Sequence, residues 1–217
     1  MKSQTNSSAT ILLIALSLAS LGFINYVDRF AAHVLTLFSH SLVPIAYARF
    51  SSFFLALIIL LFVDRSAFLF DRKKVHWMPL LRAALFWLVP AAVGVLWYKI
   101  WVPKIEGWID VTAFMFTGLC AEEFLFRGAL YALAAKVFAD KKLARIPVAV
   151  LYSSVFFSFQ HLQYHSFELT APALTQMTYT FVMGIFFGLV RHHGGCIWPA
   201  IAIHLVNNSF TTLRNMT

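Results

Sequence analysis

Charge is what this chain has least of. Asp, Glu, Lys and Arg make up 12% of its 217 residues, against 60% hydrophobic ones. Soluble domains carry roughly 25% charge, so this composition argues against a soluble domain and for a polytopic membrane protein. Cysteine is nearly absent as well. Cys120 and Cys196 lie far apart, in or beside apolar stretches and without CxxC spacing, so they read as small buried residues and say nothing about redox compartment. There is no internal repeat, low-complexity tract or soluble linker, and the length suits one domain over 1–217. The formal charge of +8 is not gathered on one polar face. The basic residues fall between apolar segments, which argues against a nucleic-acid partner and fits the loops of a membrane protein.

What the chain does have is long hydrophobic runs. The first, Ala9 to Val27, is followed by Asp28-Arg29 and more apolar sequence, and so reads as an uncleaved transmembrane helix rather than a signal peptide. Seven spans of about 17–25 residues are expected, at 9–27, 45–63, 79–101, 109–135, 146–163, 172–191 and 196–213. Residues 30–44 read as an interfacial or re-entrant helix, which widens the range to six to eight. Pro103 and Gly107, Pro147, Pro172 and Gly194-Gly195 stand at the expected boundaries. The fold class is therefore all-α, a polytopic transmembrane helix bundle with its site in a cavity between helices. Lys2 and the loops carrying Arg65, Arg72, Lys73, Lys74, Lys136, Lys141, Lys142, Arg145 and Arg191 share one side. The positive-inside rule makes that side, with the N-terminus, cytoplasmic.

Against this background two adjacent glutamates stand out. Glu122 and Glu123 sit in an otherwise apolar helix, where carboxylates are costly and are usually kept for function. Glu123 and Arg127 are four apart and share a helix face. Glu122 is five from Arg127, about 140° around the wheel, which leaves it to face a cavity as a general acid or base. Two further polar stations follow: His161 in Phe157-Ser-Phe-Gln-His161, and His204 with Asn208, one turn apart. A histidine assists proton transfer or orients water, and an asparagine amide donates to a developing oxyanion. Asn207 points elsewhere by about 100°. Gly184 and Gly188 form a GxxxG that reads as a packing face. His192 and His193 need only a solvated or headgroup position, and no role is assigned to His165. One Glu and two His also match a zinc ligand set, but there is no HExxH and no short spacing among them.

EExxxR, FxxxH and HxxxN in this order on successive apolar helices resemble the CPBP family, which includes CAAX-processing Ras-converting endopeptidases and bacterial Abi-type, bacteriocin-linked membrane proteins. The resemblance covers the catalytic half, about 109–213. It implies a glutamate-dependent intramembrane endopeptidase with no cofactor and no metal. Glu122, His161, His204 and Asn208 would be catalytic, with Glu123 and Arg127 in support. It also implies a protein or peptide substrate, membrane-anchored or lipidated among the candidates, and a lipid bilayer as surroundings. The short chain is similar to compact bacterial members, so an inner (plasma) membrane location is expected and prenylated substrates are less favoured.

Two other classes fit the polar stations: a non-catalytic immunity or scaffold protein of the same fold, and a transporter using the buried groups as a proton relay. The expected spans also hold a tension. His161 lies about fifteen residues into its span and His204 about eight into its own, a depth difference of roughly 10 Å.

Overall fold

Lipid offers no hydrogen bonds, so a chain crossing it must pair its backbone internally, and a helix does this within one segment. The computed structural model describes residues 2–39, 45–69, 75–79, 81–82, 85 and 118–215. These are helical but for short turns, loops and one antiparallel ladder of two residues per strand. The expected span 79–101 and the start of 109–135 fall largely outside the described residues.

Helix α1 (Lys2–Ser20) is followed by α2 (Phe23–Ser39) and by α3 (Ile45–Asp64), which ends in a 3-10 turn, Arg65–Phe68. Helix α4 runs in three consecutive pieces: α-helical Leu119–Glu123, π-helical Phe124–Leu130 and α-helical Tyr131–Phe138. The strands β1 (Lys142–Leu143) and β2 (Ile146–Pro147) lead into α5 (Val148–Gln160), which tightens into a 3-10 turn, His161–His165. Helix α6 (Ala171–Gly194) is capped by the Thr170 side chain, carries Pro172 in its first turn and stops at Gly195, whose φ is +68°. Helix α7 is Trp198–Asn215. The main core joins α1, α3, α4 and α5 through Leu13, Leu60, Leu125, Leu130 and Phe157; a second cluster joins α6 to α7 through Met183, Phe187 and Ala200. Outward-facing Ile58, Leu61 and Phe62 leave an apolar flank on α3, as a lipid-facing helix would.

Four expectations change. The span 9–27 is not one helix, because it breaks at Leu21–Gly22 and the chain restarts as α2. Ser17 and Ser20 donate their hydroxyls to the carbonyls of Leu13 (2.6 Å) and Ser17 (2.8 Å) just before the break. Such back-bonding bends helices, and glycine weakens them further. The supposed interfacial helix at 30–44 is, as far as Ser39, the second half of α2, which packs along α3.

The α-helical part of α5 stops at Gln160, short of the expected 163. Helix α6 runs on to Gly194, so Arg191, His192 and His193 belong to a helix rather than a loop. Arg191 is buried 3.5 Å from Asp64, and His192 Nδ1 lies 2.8 Å from the Tyr131 hydroxyl. These contacts replace the solvated position expected for His192. With the Lys136 Nζ bond to the Val63 carbonyl (3.2 Å), they gather the ends of α3, α4 and α6 on one side, as the charge pattern requires. Among the described residues, two helical segments, Phe50–Phe68 and Ala171–Gly194, are long and apolar enough to cross a membrane; Ser7–Ser20 is apolar but shorter.

The GxxxG does act as a packing face. A Cβ at Gly184 would stand 3.0 Å from Ser154 Cβ and 3.2 Å from its Cα, and one at Gly188 would stand 2.8 Å from Val150 Cγ1. Backbone at Ser154 cannot yield as a side-chain tip can. Gly184→Val is therefore expected to separate α5 from α6 and to lower the thermal midpoint in detergent by several degrees, while Val182→Ala on the exposed flank leaves it near the parent value.

Candidate active site

The site begins where α4 changes from α- to π-helical winding. Glu122 and Glu123 end the α-helical piece, and Arg127 lies within the π-helical one. Such insertions in a helix often mark functional sites. Arg127 Nη1 lies 3.5 Å from Glu123 Oε1, with both side chains fully buried, so the expected i,i+4 pair is present. The guanidinium makes no hydrogen bond among the described residues. It lies over the Phe157 ring instead, with Cζ 3.8 Å from the centroid, and 5.4 Å from that of Phe187. Aromatic faces from α5 and α6 thus take the place of acceptors for this cation.

His204 ties α7 to the pair. Its Nδ1 lies 2.8 Å from Glu123 Oε1, and its ring stacks on Phe187 at 4.6 Å and 24°. A carboxylate accepts, so Nδ1–H donates to Glu123 and the imidazole turns Nε2 toward Glu122, 4.0 Å from its Oε2. Glu122 Oε1 accepts from Gln160 Nε2 at 3.3 Å. The two carboxylates therefore have different partners: Glu123 has the arginine and a tight histidine bond, whereas Glu122 has an amide and a histidine at longer range.

His161, on the turn after α5, donates Nδ1–H to the Phe157 carbonyl at 2.8 Å, which leaves Nε2 as an acceptor. Phe157 stands between the histidines, its ring 4.8 Å from His161 and 6.0 Å from His204. The depth difference expected between them is absent. The start of α7 is tied to the turn that ends α3: Ile197 N–H donates to the Ala67 carbonyl and Trp198 Nε1–H to that of Phe68, both at 2.9 Å. Phe68 in turn packs 5.5 Å from Phe124, beside the glutamates.

Asn208 is half-buried one turn beyond His204 and makes no hydrogen bond to the carboxylates among the described residues. Its Oδ1 accepts from Asn207 Nδ2 at 3.2 Å, and Asn207 Oδ1 accepts from the Tyr179 hydroxyl at 3.4 Å. Asn207 is thus linked to Asn208, where its wheel position suggests divergence. His165, given no role, pairs its Nε2 with Gln176 Oε1 at 2.6 Å.

The sequence reading also missed Gln160, Phe157 and Phe187 as parts of the site. Gln160 and Phe157 lie inside the quoted Phe157–His161 motif, and Phe187 adjoins the packing glycine Gly188. Among the described residues, no three His, Cys, Asp or Glu side chains are grouped so as to hold a metal ion. Removing one member of a buried pair strands the other, at a cost of about 3–5 kcal/mol. Arg127→Ala is accordingly expected to destabilise the chain by about that much in detergent unfolding, and Glu122→Gln by less than about 1 kcal/mol, within the range of a mild substitution.

No curated protein and no solved structure matches the chain. A family model described as type II CAAX prenyl endopeptidase Rce1-like matches residues 104–210, the stretch that holds all six residues of the expected site. Over that stretch, just under half of its length, the chain is similar to this family, which is consistent with the CPBP resemblance of its motifs.

Proposed function

We propose that this chain is an intramembrane endopeptidase in which Glu122 activates a water molecule. The observation that carries this reading is the unequal partnering of the two glutamates. Glu123 is bound to Arg127 and His204, whereas Glu122 keeps Oε2 facing His204 Nε2 across 4.0 Å. Glu122 takes one proton from the water as its oxygen attacks the peptide carbonyl carbon. The carbonyl oxygen gains the negative charge, and the Asn208 amide and the Nε2–H of His204 in its doubly protonated form donate to it. The tetrahedral intermediate then collapses, the C–N bond breaks, and Glu122 returns the proton to the leaving amine. His161, with Nε2 as acceptor, orients the water. Glu123 fixes the aim of His204, and Arg127 balances the buried charge of Glu123. No step calls for a metal ion.

The substrate class is a polypeptide presented from the membrane. The chain sits in a bacterial plasma membrane with the gathered ends of α3, α4 and α6, and the N-terminus, on the cytoplasmic side. This orientation is supported by the basic residues at those ends.

Glu122→Gln keeps the shape and the Gln160 contact but removes the base. Cleavage of a reporter by the purified, reconstituted chain is expected to fall at least about 100-fold, as for loss of a general base. Near-parental turnover by that variant would remove Glu122 from the mechanism. A chelator is expected to leave turnover unchanged; loss on chelation with recovery on added zinc would favour a metallopeptidase.

A further inference from the structure

Buried amide groups in folded proteins are almost always hydrogen-bonded, and an orphaned one destabilises the fold. The turn that carries His161 breaks this rule twice. Gln163 is 6% exposed, and neither its Oε1 nor its Nε2 has a partner among the described residues. Gln160 is 0% exposed, and its Oε1 is likewise unpaired, although its Nε2 donates to Glu122. Gln160 ends α5 and Gln163 lies three residues on, within the 3-10 turn, so the two amides stand on either side of His161 along the chain. Two unmatched acceptors and one unmatched donor therefore bracket His161, and Gln160 also reaches the base. Elsewhere on this turn polar groups are matched: His161 Nδ1 binds the Phe157 carbonyl and His165 binds Gln176.

A ligand that offers N–H and C=O together, one peptide unit after another, is an extended polypeptide backbone. We infer that Gln160 and Gln163 form a backbone-binding subsite for the substrate segment next to the scissile bond. Gln163 Oε1 accepts a substrate N–H, Gln163 Nε2 donates to a substrate carbonyl, and Gln160 Oε1 accepts a second N–H. Both side chains are covered in the structure, so the substrate segment reaches them by displacing the side chains that cover them, and the bonds then form where water competes poorly. Recognition through backbone amides is tolerant of side-chain sequence, and the subsite would select an unfolded segment over a helix, whose amides are already paired. This inference rests on the peptidase reading.

The test uses the full chain in detergent with quenched fluorogenic peptides, one prenylated at a C-terminal cysteine and one not. Gln163→Leu removes the orphaned amide at similar volume, and Gln163→Met serves if the leucine variant does not fold. The expected result is a KM raised roughly tenfold, the effect of losing one or two hydrogen bonds, with kcat falling less and a thermal midpoint no lower than the parent. Replacing one backbone N–H of the reporter by an ester oxygen should raise KM for the parent at two positions and, at one of them, have no further effect on Gln163→Leu, which a purely structural glutamine would not produce. An active parent with KM unchanged in the variant overturns the subsite alone. A parent that cleaves neither reporter while binding both overturns the peptidase reading and the subsite with it.

Discussion

The structure depends on one buried cation. Arg127 lies in the middle of the bundle, 3.5 Å from Glu123 and between the rings of Phe157 and Phe187. A guanidinium with no water nearby needs a counter-charge and polarisable faces, and here these come from three helices. Glu123 is drawn to the arginine along α4, His204 is drawn to Glu123 from α7, and Phe157 and Phe187 close over both from α5 and α6. Assembly of the four helices and aim of the site residues thus share one set of contacts. A buried ion pair is weak evidence of stability in itself, since apolar replacements often fold as well. Its value here is geometric, because it fixes which glutamate the arginine and the histidine Nδ1 hold.

Close packing delivers the rings. Gly184 and Gly188 bring α6 within van der Waals reach of Ser154 and Val150 on α5. That places Phe187, next to Gly188, against His204 and near Arg127. A bulkier pair of residues would hold α6 away and remove one of the two aromatic faces from the cation. The glycines therefore act on the chemistry at a distance, through the helix spacing they permit.

Much of the site was legible in the sequence because helix periodicity transmits it. Spacing of four pairs Glu123 with Arg127 and puts Glu122 elsewhere on the wheel, and the structure has both. The GxxxG face was legible for the same reason, and the common side of the α3, α4 and α6 ends from the basic residues beside them. Contacts between helices were not, because periodicity says nothing about which helix supplies the neighbour. Hence the Glu123–His204 bond, the Gln160 contact and the two phenylalanines emerge only in three dimensions. Hydropathy also misjudged boundaries wherever polar or irregular backbone lies inside the bundle. It ran through the break at Leu21–Gly22 and lengthened α5 past Gln160, and it set His161 and His204 at different depths although both rings pack on Phe157.

The division of labour between the glutamates is the centre of this account, and a pair of double-mutant cycles tests it most directly. Unfolding free energies in one detergent would be measured for Arg127→Met combined with Glu123→Gln, and for Arg127→Met combined with Glu122→Gln. Residues that interact as a buried pair show coupling of about 0.5–3 kcal/mol. The account predicts coupling toward the top of that range for Arg127 with Glu123, and coupling several-fold smaller for Arg127 with Glu122. Equal coupling, or stronger coupling to Glu122, would mean that Arg127 holds the proposed base and would contradict the account.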